Sequence, residues 1–172
     1  METLSPQLRA LIDGHPHVLC DRLAAEKIDG FGKSLYLADF WTNLRAQHRA
    51  QRTTIDPLAL GAPVLPHIVL LDVIGEGDDF RWRLFGGAHT DEYGINLTGM
   101  HLNELKKHNP ATGEVELIFR HATETREPTW YRIDYVNDRG CRRACCGVIL
   151  PLFDANGTMV THLLGCSEWV NR

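Results

Sequence analysis

The sequence DFRWRLFGG, residues 79–87, alternates apolar and basic side chains with a period of two and stops at a pair of glycines. This alternation predicts a β-strand. The run before it, residues 67–74, is also predicted to be a strand. The glycines and acids of residues 75–79 predict a turn, so the two runs form a hairpin. Strict alternation would divide the second strand into two faces, formed by Phe80, Trp82 and Leu84 and by Arg81, Arg83 and Phe85.

The residues that follow the hairpin predict helices and then three more strands. Short helical pieces are expected between residues 88 and 109, and residues 111–125 have the spacing of an amphipathic helix. The runs 129–136, 142–153 and 159–170 are predicted to be successive antiparallel strands. Two strands, a block of helices and three strands make an α+β domain with five strands.

The residues before the hairpin are predicted to be mainly helical. Residues 37–52 form one helical pattern, whose arginines Arg45, Arg49 and Arg52 make a basic stripe that is either a solvated surface or a contact for an anionic partner. Residues 1–34 predict two shorter helices, in 5–14 and 19–28, which end at glycines. Because such short helices are marginal alone, we expect them to pack on the domain or on a second copy. The predicted division is a helical extension, 1–34, and a domain, 35–172.

Composition restricts the classes of partner. The chain has 172 residues, is 44 % hydrophobic and has a formal net charge of −4, which suits one domain and gives no general attraction to nucleic acid. Its apolar runs fall far short of the roughly 20 residues that span a bilayer, and its start lacks a secretory signal. Five cysteines are an odd number, which is typical of a reducing compartment. We therefore expect a cytoplasmic protein that binds neither membranes nor nucleic acid.

Several motifs resemble one family. Leu65-Pro66, DFRWRLFGG at 79–87, YGINLTG at 93–99 and Leu150-Pro151-Leu152 are similar to motifs of the PAS-like family of small stand-alone proteins common in alphaproteobacteria. The resemblance runs from about Phe40 to Val170, with mild departures at three positions, Trp82, Gly87 and Asn96. It implies a five-stranded antiparallel sheet with helices on one face. It also implies a module that holds a small molecule between sheet and helices or that docks and dimerises with proteins.

The resemblance places a ligand pocket between the sheet and the central helices. Such pockets are mostly apolar with few polar groups. Arg83 either meets a carboxylate such as Asp72, binds an acidic ligand, or turns to solvent, because a buried unpaired arginine is costly. The predicted lining residues are Trp82, Arg83, Leu84, Tyr93, Leu97, Leu102, Ile118, Tyr131, Ile133, Cys146, Val148 and Leu164.

No cofactor can be named from these residues. His108 and His121 are the positional candidates for haem ligation, although His121 lies off the apolar stripe. No cysteine occurs between Gly86 and Thr125, which disfavours a photochemical flavin adduct of the kind related families form on these helices. A metal site at Cys141, Cys145 and Cys146 is also disfavoured, because neighbours in a strand point to opposite faces.

Three functional hypotheses remain open. The first is a non-enzymatic regulatory module that binds a small ligand or a separate signalling protein and forms a homodimer through its N-terminal helices. The second is a pure protein-interaction module with a filled core. The third is a small curved-sheet enzyme of the ketosteroid-isomerase type, with Asp72 or Asp134 as the base. A Cys146–His162 dyad is a further catalytic candidate.

Overall fold

A computed structural model describes residues 19–109, 112–137 and 139–172. Within these residues one antiparallel sheet contains six strands in the order β1-β4-β5-β6-β2-β3. The predicted α+β architecture is confirmed, with β1 as an additional edge strand. The strands are β1 (Leu19–Cys20), β2 (Ile68–Ile74), β3 (Asp79–Phe85), β4 (Thr129–Val136), β5 (Arg142–Phe153) and β6 (Val160–Asn171).

Six α-helices accompany the sheet in the described part of the chain. Single 3₁₀ turns also occur at Arg52–Thr54, Leu65–His67 and Gly75–Gly77. The helices are α1 (Arg22–Ala25), α2 (Gly32–Ala46), α3 (Pro57–Leu60), α4 (Gly87–Tyr93), α5 (Leu102–His108) and α6 (Thr112–Thr125).

Helices cover both faces of the sheet, so each face has its own apolar core. We call the face beneath α5 and α6 the inner face and the face beneath α2 the outer face. Trp41 fixes α2 to the outer face, where its indole Nε1 donates to the Pro151 carbonyl at 2.7 Å. The Glu168 carboxylate accepts bonds from the amides of Lys33 and Ser34 at 3.0 and 3.2 Å, which satisfies free donors at the start of α2. The sequence predicted helices on one face only, whereas the structure has a second helical layer on the outer face.

The N-terminal segment is partly outside the described residues. The helix predicted in residues 5–14 falls there. In the second predicted helix, Leu19 and Cys20 instead pair with Tyr131 and Trp130 of β4. The helix starts only after Asp21, whose carboxylate accepts from the Ala24 amide at 2.6 Å as an N-cap.

The β2–β3 hairpin contains an irregularity that changes which side chains are buried. Leu70 pairs with Leu84 while the next residue, Leu71, pairs with Trp82, so Arg83 is an extra residue on β3. A β-bulge of this kind inverts the alternation beyond it. Phe85 therefore joins Trp82 on the inner face, and Leu84 is 45 % exposed. The faces predicted by strict alternation are correct before Arg83 and wrong after it.

No helix in the described part of the chain is long and apolar enough to cross a bilayer.

Candidate functional site

The inner face beneath α5 and α6 is the place where a pocket was expected, and aromatic rings fill it. Phe119 of α6 lies with its ring centroid 5.4 Å from Phe80 and 6.0 Å from Trp82. Trp82 in turn meets Phe85 edge-on at 6.5 Å. These separations are those of rings in direct contact. All four side chains are buried, so sheet and helix interlock at this point.

Two cavities at the surface lie away from this aromatic contact. The first, of about 60 Å³, lies between the end of α2 and the β5–β6 hairpin. The second is an open groove of about 430 Å³ beside the start of α5. Asp79 lines this groove, and its carboxylate contacts His101 Nδ1 at 2.8 Å and accepts from the Asn103 amide at 3.0 Å. The carboxylate thus anchors the first turn of α5 to β3.

About half of the predicted lining residues come together on the inner face. Five of them are buried there, and Ile133 is partly buried against the same cluster. Tyr93, at the end of α4, is half exposed but its ring packs 6.5 Å from Phe85. The inner-face group is Trp82, Leu97, Leu102, Ile118, Tyr131 and Ile133.

Cys146, Val148 and Leu164 lie on the outer face instead. The structure therefore does not bring them to Trp82. Side chains alternate between the two faces along each strand, so an error of one residue in the predicted alternation assigns every side chain of that strand to the wrong face. On β5 it is Cys145, not Cys146, that faces inward, as their assignment to the two separate cores shows.

Hydroxyl and thiol groups are buried on the inner face beside α4. The Trp169 indole Nε1 donates to the Tyr93 hydroxyl at 3.2 Å, and the hydroxyls of Tyr131 and Ser167 are 2.6 Å apart. Burial raises the pKa of the adjacent Cys145 thiol to about 12, so the thiol is neutral and unreactive. Each of these groups already has a partner within the protein.

An ion pair between Glu92 and Arg143 lies next to these buried hydroxyl and thiol groups. Arg143 donates to both carboxylate oxygens of Glu92 at 2.7 Å, and the Tyr135 hydroxyl donates to the same carboxylate. Burial opposes ionisation, but the bonds from Arg143 and Tyr135 prevail and lower the pKa of Glu92. The contact ties α4 to β4 and β5.

His89 on α4 is the exception to this pattern of satisfied groups. It is 3 % exposed, and its ring packs 5.0 Å from Phe85 and 4.9 Å from Trp169. Neither ring nitrogen has a hydrogen-bond partner of good geometry among the described residues. Burial lowers the pKa of His89 to about 4, with a smaller lowering from His67 and an opposing effect of the Pro66 carbonyl. The imidazole is neutral at pH 7.

Arg83 meets Asp72, one of the three predicted alternatives. The Asp72 carboxylate accepts from Arg83 Nε at 2.7 Å and from Arg81 Nε and Nη2 at 2.9 and 2.6 Å. His162 Nε2 lies 3.3 Å away. Partial burial disfavours the ionised carboxyl, but its bonds to Arg83 and Arg81 outweigh that and lower the pKa of Asp72.

The geometry does not assemble the catalytic groups that the sequence suggested. Asp72 is held by arginines, and Asp134 is exposed on the outer face with Arg172 Nε 3.1 Å away, so neither points into an apolar cavity as a base. Cys146 pairs with Glu168, six positions along β6 from His162, so these two do not form a dyad. In the described residues no group of three or more His, Cys, Asp or Glu side chains is arranged to hold a metal ion.

The two haem-ligand candidates also lie outside an apolar pocket. His108 is exposed at the end of α5. His121 is partly buried, and its Nδ1 lies 3.0 Å from the Thr129 hydroxyl oxygen. Burial lowers the pKa of His121.

No protein-family model and no curated protein matches the sequence. Several solved structures are similar to it, and three of them follow. The PAS domain of a protein from Colwellia psychrerythraea is 21 % identical over 60 % of this chain and 85 % of its own, with a TM-score of 0.42. An RNA-binding light-oxygen-voltage receptor is 18 % identical over 67 % of this chain, with a TM-score of 0.44. A fungal LOV-domain photoreceptor is 19 % identical over 75 % of this chain and 89 % of its own, with a TM-score of 0.42.

The decisive observation is the order of the elements. Two strands are followed by three helices and then by three more strands, and these five strands belong to one antiparallel sheet, as the motifs implied. The fold is PAS-like. This chain matches 34 % of the length of the RNA-binding receptor.

Several residues on the inner face were not among the predicted lining residues, and four of them are aromatic rings close to the ones described above. Phe119, Phe85 and Trp169 are aromatic and were available as apolar signals, although the bulge at Arg83 hides Phe85. His89 gave no signal, because its burial depends on where α4 docks.

Proposed function

We propose that this PAS-like domain is a cytoplasmic regulatory module that acts by binding a separate signalling protein. The observation that carries the proposal is the contact of Phe119 with Phe80 and Trp82, which occupies the space where a small molecule would lie. A filled core leaves the surface as the place where a signal enters or leaves. The proposal therefore favours the protein-interaction hypothesis over the ligand-binding one.

Native mass spectrometry of the protein purified from its own host tests the filled core. We expect the mass of the polypeptide with no bound small molecule, because the Phe119 ring is in contact with Phe80 and Trp82. The same protein denatured before analysis is the control. A fixed additional mass that is lost on denaturation would contradict the filled core.

A small-ligand sensor is the second candidate, and His89 supports it. Among the described residues neither nitrogen of this buried imidazole has a hydrogen-bond partner of good geometry, which leaves donor and acceptor capacity that a small polar molecule could use. If the extra mass is observed, it should disappear in His89→Phe, which keeps the ring and removes both nitrogens. Retention of the mass in that variant would place the ligand elsewhere.

We also propose that the chain forms a homodimer through its N-terminal residues. Leu4, Leu8, Leu11 and Ile12 recur at helical spacing and would give one apolar face. Sedimentation equilibrium of the full chain is expected to give twice the polypeptide mass, and removal of residues 1–18 to give the monomer. A dimer that persists after this truncation would contradict the assignment of the interface.

A further inference from the structure

Arg45 lines the cavity at the end of α2, and three more arginines belong to the segments beside it; we call these four residues the arginine patch. They are Arg45 in the last turn of α2, Arg49 and Arg52 just after it, and Arg126 just after α6. No described carboxylate lies within 4 Å of any of their side-chain nitrogens, whereas Arg83, for example, is held by Asp72 at 2.7 Å. Among the described residues, therefore, no carboxylate uses their hydrogen-bonding capacity, and Arg49 Nη1 donates to Gln47 Oε1 at 3.4 Å.

Phe153 holds two of these guanidinium groups in place. The Arg45 guanidinium carbon lies 4.1 Å from the centre of the Phe153 ring, and that of Arg126 lies 5.4 Å from it. Arg126 Nη2 also donates to the Gly157 carbonyl at 2.9 Å. Guanidinium groups stacked on an aromatic ring keep their N–H edges free for a second contact. Ordering them before a partner arrives lowers the entropy cost of binding.

The cavity lined by Arg45 has the size of a small anionic group. Its volume is about 60 Å³, and the polar residues His48, Gln51 and Asn156 also line it. Asp154 also lines it, but its carboxylate already accepts from the Thr158 amide and hydroxyl at 2.8 and 3.0 Å and from the Met159 amide at 3.2 Å. These bonds, led by the one from the Thr158 amide, lower the pKa of Asp154.

The charge of the whole chain restricts the anion that would fit. The chain carries a formal net charge of −4, so the surface outside these four arginines is more negative than that total. A long polyanion such as nucleic acid would meet this acidic surface beyond the patch. A short acidic protein segment can contact the arginines without meeting the acidic surface beyond them.

We propose that the arginine patch is the docking site for an acidic segment of the partner protein, with one of its carboxylate side chains entering the cavity. This inference rests on the proposed function, since it names the surface and the chemistry of the partner. Arg45 and Arg126 supply the ordered guanidinium groups, and the exposed Arg49 and Arg52 extend the contact along the segment.

The test is fluorescence anisotropy with a short fluorescein-labelled glutamate-rich peptide and the full-length protein. Arg49→Gln/Arg52→Gln changes the patch without touching Phe153. Arg139→Gln/Arg142→Gln is the matched control, because it removes the same charge from exposed arginines at the other end of β5. Unchanged thermal unfolding in both variants confirms that the fold is kept.

We expect the patch variant to bind the peptide about tenfold more weakly than the unaltered protein, since charge-assisted contacts are lost, and the control to bind it unchanged. Affinity should fall as salt is raised. Equal binding by both variants, no binding by the unaltered protein, or tighter binding of a single-stranded oligonucleotide would each overturn the proposal. None of these outcomes bears on the filled core, which the mass measurement tests separately.

Discussion

Trp82→Ala is expected to lower the free energy of unfolding by about 3–5 kcal/mol, the usual cost of removing a large aromatic side chain from a core. Trp82 is 4 % exposed and contacts both Phe85 and Phe119, so its loss leaves a cavity between the sheet and α6. Urea unfolding followed by circular dichroism measures the change.

Leu84→Ala is the matched control for this prediction. It lies on the same strand but beyond the bulge at Arg83, and it is 45 % exposed. Its expected cost is below about 1 kcal/mol, as for most surface substitutions. A cost for Leu84 as large as that for Trp82 would show that β3 alternates regularly and that the bulge is absent.

Acid is expected to destabilise the protein through His89, by about 3 kcal/mol between pH 7 and pH 4. Burial lowers the pKa of His89 from 6.5 to about 4 in the folded state, while the unfolded chain keeps the ordinary value. Between these two values the unfolded state binds the additional proton. Stability therefore falls as the pH drops through this window and is fully present above pH 6.5.

His89→Phe separates this effect from other titrations. The variant keeps an aromatic ring against Phe85 and Trp169 but cannot be protonated, so its stability should change less between pH 7 and pH 4. The carboxyl groups with lowered pKa values, such as Asp72 and Glu92, titrate in both proteins and cancel in the comparison. Urea unfolding at several pH values supplies the measurement, and parallel curves for the two proteins would contradict the buried, neutral His89.

The order of elements could be predicted from the sequence because it depends on local signals. Alternation in residues 79–85 predicted β3, and the helical spacing near Ile118 and Phe119 predicted α6. Asn156-Gly157 is a hairpin signal in the sequence, and it lies in the turn between the last two strands, where Gly157 has a positive φ of 69°.

The faces of the strands could not be predicted as reliably, since they depend on long-range packing. A single inserted residue, Arg83, reversed the positions of Leu84 and Phe85. On β5 every residue from Ala144 to Phe153 is buried, because α2 covers the outer face and α6 the inner one. With both sides apolar, the sequence of β5 carries no signal that separates Cys145 from Cys146.

The burial of His89 also could not be predicted from the sequence. Histidine is intermediate between the mostly buried and the mostly exposed residue types, so only the docking of α4 against Trp169 shows that His89 is buried.

The central claim is that the inner face of this PAS-like domain is filled by its own side chains. A crystal structure of the protein purified from its own host tests this most directly, because it displays the space between Trp82, Tyr131 and Phe119. We predict that the rings of Trp82 and Phe119 are in contact, with no density for another molecule between sheet and helices. Density for a bound small molecule beside Trp82 and Tyr131, with Phe119 displaced from both, would contradict the claim.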